Sequence, residues 1–282
     1  MPGTLFLVAT PIGNLEDITA RALRVLGDVA LIAAEDTRRT SHLLTRYAIQ
    51  TPTTSLHEHN ETRKAPALIA RLQAGDSIAL VSDAGMPLVS DPGQHLVRLA
   101  IEAGIRIEPI PGPSAIIAAV AASGFATQPF KFLGFPPTRS KDRNKWLDAL
   151  AASTETVVFF ESPHRIRETL GEVQARVGDC QVVACRELTK IHEELVRGPI
   201  SSVIKAPSLD TGELTVVIDL GHKTERVELA AASDEQIAIE LGYITNQLKI
   251  SRREGIQRLA RKHGRKPNDI YAAVERAKQL GK

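Results

Sequence analysis

The apolar positions along the chain fall into short unbroken runs, each followed by a stretch with helical spacing. Leu5-Phe-Leu-Val-Ala9 predicts a buried strand, and Ala20 to Gly27 a helix closed by its glycine. Val29 to Ala34 is a second buried strand, ending in Glu35-Asp-Thr-Arg38, and a helix follows through Tyr47. Thr53 to Leu56 is a short strand, Ala65 to Ala74 a helix, and Ser77 to Val81 a buried strand that runs into Ser82-Asp-Ala-Gly-Met-Pro87. Gln94 to Ala103 is a helix, Ile105 to Ile110 a strand, and Ser114 to Ser123 a helix opened by Pro113. Strands that are continuous apolar runs, alternating with helices, predict a parallel sheet covered on both faces.

Beyond Gly124 the pattern changes. Gly124 to Arg139 is rich in Phe, Pro and Gly and is read as a crossover into a second domain. Strands are expected at Thr156–Phe160, Gln181–Cys185 and Glu213–Leu220, with an edge strand at Glu194–Arg197 and a helix at Ile166–Val177. Strands with few helices between them imply a mixed sheet. The fold class is therefore α/β, with two α/β domains (1–125 and 126–222) and a linker plus helical segment over 223–282. In that last segment, Ser233-Asp-Glu-Gln236 and Ser251-Arg-Arg-Glu254 have the capping-box pattern, Gly264 is a stop and Pro267 a start. Three short helices of helix-turn-helix kind are expected there.

Composition adds exclusions. With 43% hydrophobic and 24% charged residues over 282 positions, the chain is neither disordered nor fibrous. Cys180 and Cys185 are read as buried thiols compatible with a reducing cytosol. The N-terminal stretch lacks the basic region of a signal peptide, and the run Ala115–Ala122 is too short to span a bilayer, so a cytoplasmic protein is expected.

The net charge of +2 conceals a division: residues 246–282 hold 11 Lys or Arg against 3 Asp or Glu, while the other 245 residues hold 24 against 30. A basic tail on an acidic body suits an anionic polymer such as nucleic acid. A solvated helical surface is the plainer alternative.

No P-loop, no GxGxxG after the first strand, no GxSxG elbow and no HExxH is present. His57-Glu-His59 is a weak metal signal, and no metal is expected. Chemistry instead points to five loops beyond the strand ends: Thr10–Asn14, Glu35–Arg38, Ser82–Pro87, Pro111–Ala115 and Glu161–Arg165. Ligands of open α/β sheets bind on that side. Each loop alone is explained by turn or cap chemistry; together they predict one joint site. The Pro- and Gly-rich stretch Ser82–Gly93 exposes main-chain groups suited to a polar small molecule, while Asp83 either favours a cation or caps a turn.

At these loops the chain resembles the tetrapyrrole-methylase-like class of S-adenosylmethionine-dependent methyltransferases, and within it the branch acting on small-subunit ribosomal RNA. The resemblance rests on Val8–Ile18, Ala34–Arg38, His57–Asn60, Ser82–Gly93, Ile110–Ala115, Phe160–Arg165 and Gly212–Thr215. Where the tetrapyrrole branch has Gly-Asp-Pro, this chain has Ser82-Asp-Ala-Gly85, which argues against a tetrapyrrole substrate.

The resemblance implies two α/β domains of the tetrapyrrole methylase type with a cleft between them, and a homodimer that methylates the ribose 2′-oxygen of a cytidine, position 1402, in the 16S rRNA of the small ribosomal subunit. It implies that S-adenosyl-L-methionine meets Pro11, Asp83, Ala84, Gly85, Met86, Ser114, Ala115, Glu161 and Leu214. Removal of the hydroxyl proton calls for a base; Glu35, Asp36, His57 and Glu161 are the candidates, each with a capping or pairing role as its alternative. Arg38, His164, Arg165 and Lys190 are candidates for RNA phosphates, as are Arg252, Arg253, Arg258, Arg261, Lys262, Arg265 and Lys266 in the tail. Two readings compete: a methyltransferase of a tetrapyrrole or other small molecule, and a non-enzymatic RNA-binding factor.

Overall fold

The computed structural model describes residues 1–220, 234–248, 250–262 and 267–280, without side chains at 235, 236, 246–248, 261, 262 and 278–280. The expected linker, the Ser233–Gln236 capping box, the Gly264 stop and the side chains of Arg261, Lys262, Arg265 and Lys266 lie outside the described residues. The chain forms two compact units, 1–222 and 223–282.

In the larger unit, β1 (Thr4–Val8), β2 (Leu31–Ala34), β3 (Thr53–Ser55), β4 (Ile78–Val81) and β5 (Arg106–Ile110) form an all-parallel sheet in the order β3-β2-β4-β1-β5. The continuous apolar runs are explained by burial on both faces. Along β1 and β2, Leu7 and Leu31 face the helices α3 (Glu61–Gln73) and α4 (Gln94–Glu102), with Leu68, Leu72 and Leu96. Their neighbours Val8 and Ile32 face α1 (Ala20–Asp28) and α2 (Thr37–Arg46), with Val25, Leu26, Leu43 and Leu44. Each such Leu or Ile, fully buried, contributes about 1.5–3 kcal/mol relative to exposure. Thr19 and Asp36 cap α1 and α2 through their side chains. Gly93 has no side chain with which to cap α4, and the buried Glu61 carboxylate does this work, accepting the Leu96 N–H at 2.9 Å.

Helix α5 (Ala115–Ser123) joins the two sheets. It leaves β5 after a Ser114 cap, and its Ala119 and Val120 pack on Val158, Val183 and Val217 of the second sheet. That sheet comprises β6 (Phe130–Phe132), β7 (Thr156–Glu161), β8 (Gln181–Arg186), β9 (Glu194–Pro199) and β10 (Leu214–Ile218), ordered β6-β7-β10-β8-β9. Only the β6–β7 pair is parallel, so the sheet is mixed, as its sparse helices imply. Its other face is covered by α6 (Ser140–Ala151), α7 (Ile166–Val177) and α8 (Ile200–Val203) around Trp146, Leu150, Phe159 and Leu170.

In the smaller unit, α9 (Asp234–Leu248), α10 (Arg252–Lys262) and α11 (Pro267–Leu280) share a core of Ile237, Leu241, Ile256, Leu259, Ile270 and Val274. Ser251 caps α10, accepting the Glu254 N–H at 3.2 Å, but the Glu254 carboxylate meets Arg258 instead of completing the box. No helix among the described residues is long and apolar enough to cross a membrane.

Candidate active site

The C-terminal ends of the first sheet's strands face loops of the second sheet across a cavity of about 400 Å3. Its wall takes Ile12 from the loop after β1, Ala84 to Met86 and Val89 to Asp91 from the loop after β4, and Ser114 to Ile116 from the start of α5. The second sheet supplies Phe160 to Pro163 and Gly212 to Thr215, and Phe135 comes from the loop after β6. The loop after β1 is locked in place twice. Thr10 and Gly85 exchange backbone hydrogen bonds at 2.9 and 3.0 Å, and the Asn14 N–H donates to Thr189 Oγ1 of the second sheet's loop at 3.0 Å.

The loop after β4 holds unusual backbone. Gly85 (φ 80°) and Gly93 (φ 119°) take left-handed angles that glycine accepts freely, but Leu88 (φ 77°) and Ser90 (φ 69°) take them too. Such angles cost about 1–3 kcal/mol each and persist where the surroundings over-determine them.

Of the nine residues expected at the donor, seven line this cavity: Ala84, Gly85, Met86, Ser114, Ala115, Glu161 and Leu214. Pro11 is buried next to Ile12, off the wall. Asp83 is also off the wall: its Oδ1 accepts the Asp36 N–H at 3.1 Å, its Oδ2 lies 3.4 Å from Arg39 Nη1, and its own N–H donates to Glu35 Oε2 at 3.2 Å.

A second hollow, of about 660 Å3, is lined by Glu35, His57 to His59, Glu61 and Ser90 to Gln94. Ser90 and Asp91 belong to both walls. The spacing of residues in the sequence does not single out Asp91. Burial pushes its carboxyl up to about 6, against a hydrogen bond from Ser82, and the charges of Glu35 and Asp83 raise it further. Burial also raises Glu35, partly offset by its bond from the Asp83 N–H.

The other base candidates differ in kind. Asp36 caps α2 and grips the Arg38 guanidinium at 2.8 and 3.1 Å, which together hold its carboxyl down at about 2. His57 Nε2 lies 2.8 Å from Asn60 Nδ2, which orients the ring in the second hollow. Glu161 is buried at the end of β7, with Ser162 N–H on one oxygen at 2.7 Å and the Thr169 hydroxyl on the other at 2.6 Å.

The cationic candidates are dispersed. Arg38 and His164 are exposed. Arg165 is committed to the carbonyls of Pro136 and Pro137, and Lys190 to Glu187 and Glu213. In the smaller unit Arg252, Arg253 and Arg258 are exposed; Arg252 pairs with Glu275 and lies 5.5 Å from the Tyr271 ring centroid.

A cavity of roughly 300–1,000 Å3, mostly apolar with a few convergent polar groups, is the usual form of a small-molecule site. Here the apolar wall (Ile12, Val89, Ile116, Phe160, Leu214) and the Ala84–Met86 stretch fit a nucleoside-bearing methyl donor. Two sheets enclosing such a cavity define a class, and the sequence agrees: residues 4–204 match the tetrapyrrole (corrin/porphyrin) methylases, and the chain belongs to that family of S-adenosylmethionine-dependent methyltransferases.

Within the family its relatives are more particular. It is 43% identical over 274 residues to ribosomal RNA small subunit methyltransferase I of Escherichia coli O157:H7, covering 95% of this chain and 93% of that one. It is 43% identical over 272 residues to the protein of the same name from Halalkalibacterium halodurans, with the same coverage. Among solved structures, diphthine synthase aligns with a TM-score of 0.63 at 16% identity, covering 77% of this chain and 90% of that one. Uroporphyrin-III-C-methyltransferase from Thermus thermophilus aligns at 0.55 and 20%, covering 78% and 96%. These two likenesses concern the fold.

Proposed function

We propose that this enzyme methylates the ribose 2′-oxygen of a cytidine in 16S ribosomal RNA of the small ribosomal subunit, using S-adenosyl-L-methionine. The relatives' shared name supports the RNA substrate, and so does the absence of the Gly-Asp-Pro stretch of the tetrapyrrole branch. The observation that carries the chemistry is the position of Asp91, on the wall common to the donor-sized cavity and the carboxylate-lined hollow.

When bound, the donor supplies a methyl group activated by a sulfonium. Ala84 to Met86, Ser114, Ala115, Glu161 and Leu214 would hold it. The hollow beside Glu35 and His57 takes the target nucleotide. Asp91, as carboxylate, accepts the 2′-hydroxyl proton as the oxygen takes the methyl group. A base with a pKa near the working pH suits that task, and Asp91 at about 6 meets it better than Asp36 at about 2. Of the candidates for RNA phosphates, Arg38, His164, and Arg252, Arg253 and Arg258 of α10 are exposed, which supports phosphate contacts, although Asp36 already holds Arg38.

We take the enzyme to be cytoplasmic, where its ribosomal substrate is, and homodimeric. Sedimentation of the purified chain checks the oligomeric state. The activity is tested with labelled donor on isolated small subunits and on naked 16S RNA, mapping the label to one nucleotide. Label on a base instead of a ribose, or on a tetrapyrrole in preference to RNA, would overturn the reading.

A further inference from the structure

Asn60 stands at the N-cap of α3, where an asparagine ordinarily turns its side-chain oxygen onto the first free N–H groups of the helix. Here it makes no such bond. Its Oδ1 turns back and accepts the His57 N–H at 3.0 Å. A backbone N–H can only donate, so this contact fixes which end of the amide is oxygen, and the other end is the NH2 group. One proton of Nδ2 is directed at Ser55, whose Oγ lies at 3.2 Å. The other meets His57 Nε2 at 2.8 Å.

Asn60 is buried, and its partner Ser55 is held from behind. Lys64 Nζ, which has protons and no lone pair, donates to Ser55 Oγ at 2.9 Å, to the Ser55 carbonyl at 2.7 Å and to Thr54 Oγ1 at 3.0 Å. Because the amide donates to Nε2, that nitrogen carries no proton, and the ring's proton sits on Nδ1. A free imidazole favours the opposite arrangement. Nδ1 has no hydrogen-bond partner among the described residues. The ring lines the second hollow, where Glu35, Glu58 and Asp91 present carboxylates, which accept and do not donate when ionised. A fixed N–H there supplies what those side chains lack.

We propose that Asn60 is a positioning residue for the target nucleotide: it holds the His57 ring with its proton on Nδ1, so that this N–H meets an acceptor atom of that nucleotide. This rests on the reading above, that the second hollow takes the nucleotide. It also separates His57 from proton removal, because the one ring nitrogen with a lone pair is already bonded to Asn60. That task stays with Asp91.

The test is long-range proton–nitrogen NMR of the full chain labelled in its histidines, alongside KM for small subunits and calorimetric titration with S-adenosylhomocysteine. At pH 8 the wild-type ring is expected to show a pyrrole-type Nδ1 and a pyridine-type Nε2, with His57→Gln identifying the signals by their loss. Asn60→Asp keeps an oxygen for the His57 N–H but offers the ring no proton, so Nε2 becomes the pyrrole-type nitrogen. KM for small subunits is then expected to rise about tenfold, with S-adenosylhomocysteine binding within about twofold of wild type, the scale of one lost hydrogen bond at the nucleotide alone. A wild-type ring with its proton on Nε2, or an Asn60→Asp chain with wild-type KM for subunits, overturns the inference. So does a tenfold loss of S-adenosylhomocysteine affinity in that variant, which marks a merely structural role. Should Asn60→Asp fail to fold, the wild-type spectrum still decides the tautomer. KM of His57→Asn, which keeps an amide N–H close to the place of Nδ1, is then compared with that of His57→Leu; a lower value for His57→Asn supports the donor role and equal values refute it. Small subunits left unmethylated by the wild-type chain remove the nucleotide reading of the hollow itself, which is a separable result.

Discussion

Replacing Asp91 with asparagine sets function against stability in a measurable way. The carboxyl sits at about 6 in the folded chain, above the ordinary 3.8, chiefly because burial disfavours its charge. A raised folded-state pKa means that the native state binds this proton more tightly than the unfolded one. Ionising Asp91 therefore costs stability, fully above pH 6 and not at all below about 3.8. Two pH units correspond to a ceiling of about 3 kcal/mol. The side chain is only half-buried, and solvent screening reduces the realistic figure to about 1 kcal/mol. Asp91→Asn keeps the shape and can keep the Ser82 bond while abolishing the charge. It is expected to raise the unfolding temperature at pH 8 by about 2–4 °C, with the gain fading as pH falls from about 6 to about 4. The same substitution is expected to cut methyl transfer about 100-fold or more, the usual scale for losing a positioned base. Scanning calorimetry at pH 4, 6 and 8 and single-turnover transfer to small subunits give the two readings. A variant that is less stable at pH 8, or that transfers methyl at wild-type rate, would refute the reasoning.

Wild-type turnover is expected to fall tenfold per pH unit below about 6, as Asp91 takes up its proton. Glu35→Gln removes one like charge from its neighbourhood, so this acid limb shifts to lower pH; a shift upward or none contradicts the coupling. Arg252→Gln, Arg253→Gln and Arg258→Gln combined are expected to weaken RNA binding and reduce the slope of log K against log salt by about 0.7–0.9 for each phosphate these arginines neutralise. An unchanged slope in filter binding assigns those side chains no phosphate. Gly93→Ala is expected to cost about 1–3 kcal/mol, read as a lowered urea midpoint, because φ is 119° and a Cβ would lie 2.6 Å from Leu80 Cδ2.

Much of the fold is legible in the chain because strands buried on both faces write continuous apolar runs, and the loops after them announce themselves with Pro, Gly and charge. The parallel first sheet, the mixed second sheet and the gathering of Ala84 to Met86, Ser114, Glu161 and Leu214 all follow from that. Among the elements that escape such a reading are α6 and β6. Helix α6 carries its apolar residues on one narrow face, Trp146, Leu147 and Leu150, amid a run of charges. Strand β6 lies inside the Phe- and Pro-rich crossover, where three residues suffice to pair with β7. Helix α3 also begins at Glu61, earlier than its apolar spacing suggests, because Glu61 turns inward to cap α4.

Asp91 is not legible because its basicity depends on burial and on Glu35, from a different strand end. Charge counting likewise gives the net charge of the tail but not which of its cations are already paired. Arg252 and Arg258 each have a carboxylate partner, Glu275 and Glu254, that a tally by sign does not reveal. Arg165 and Lys190 are bound up within the fold for the same reason.

The two cysteines acquire a meaning beyond packing. Burial pushes Cys180 up to about 11 and Cys185 up to about 12. A thiolate is a soft nucleophile that alkylating agents seek out, and only the ionised form reacts readily. A protein that spends its working life loaded with a reactive alkyl source therefore carries its sulfhydryls in their inert state, and offers no rival acceptor there to squander the cargo on itself.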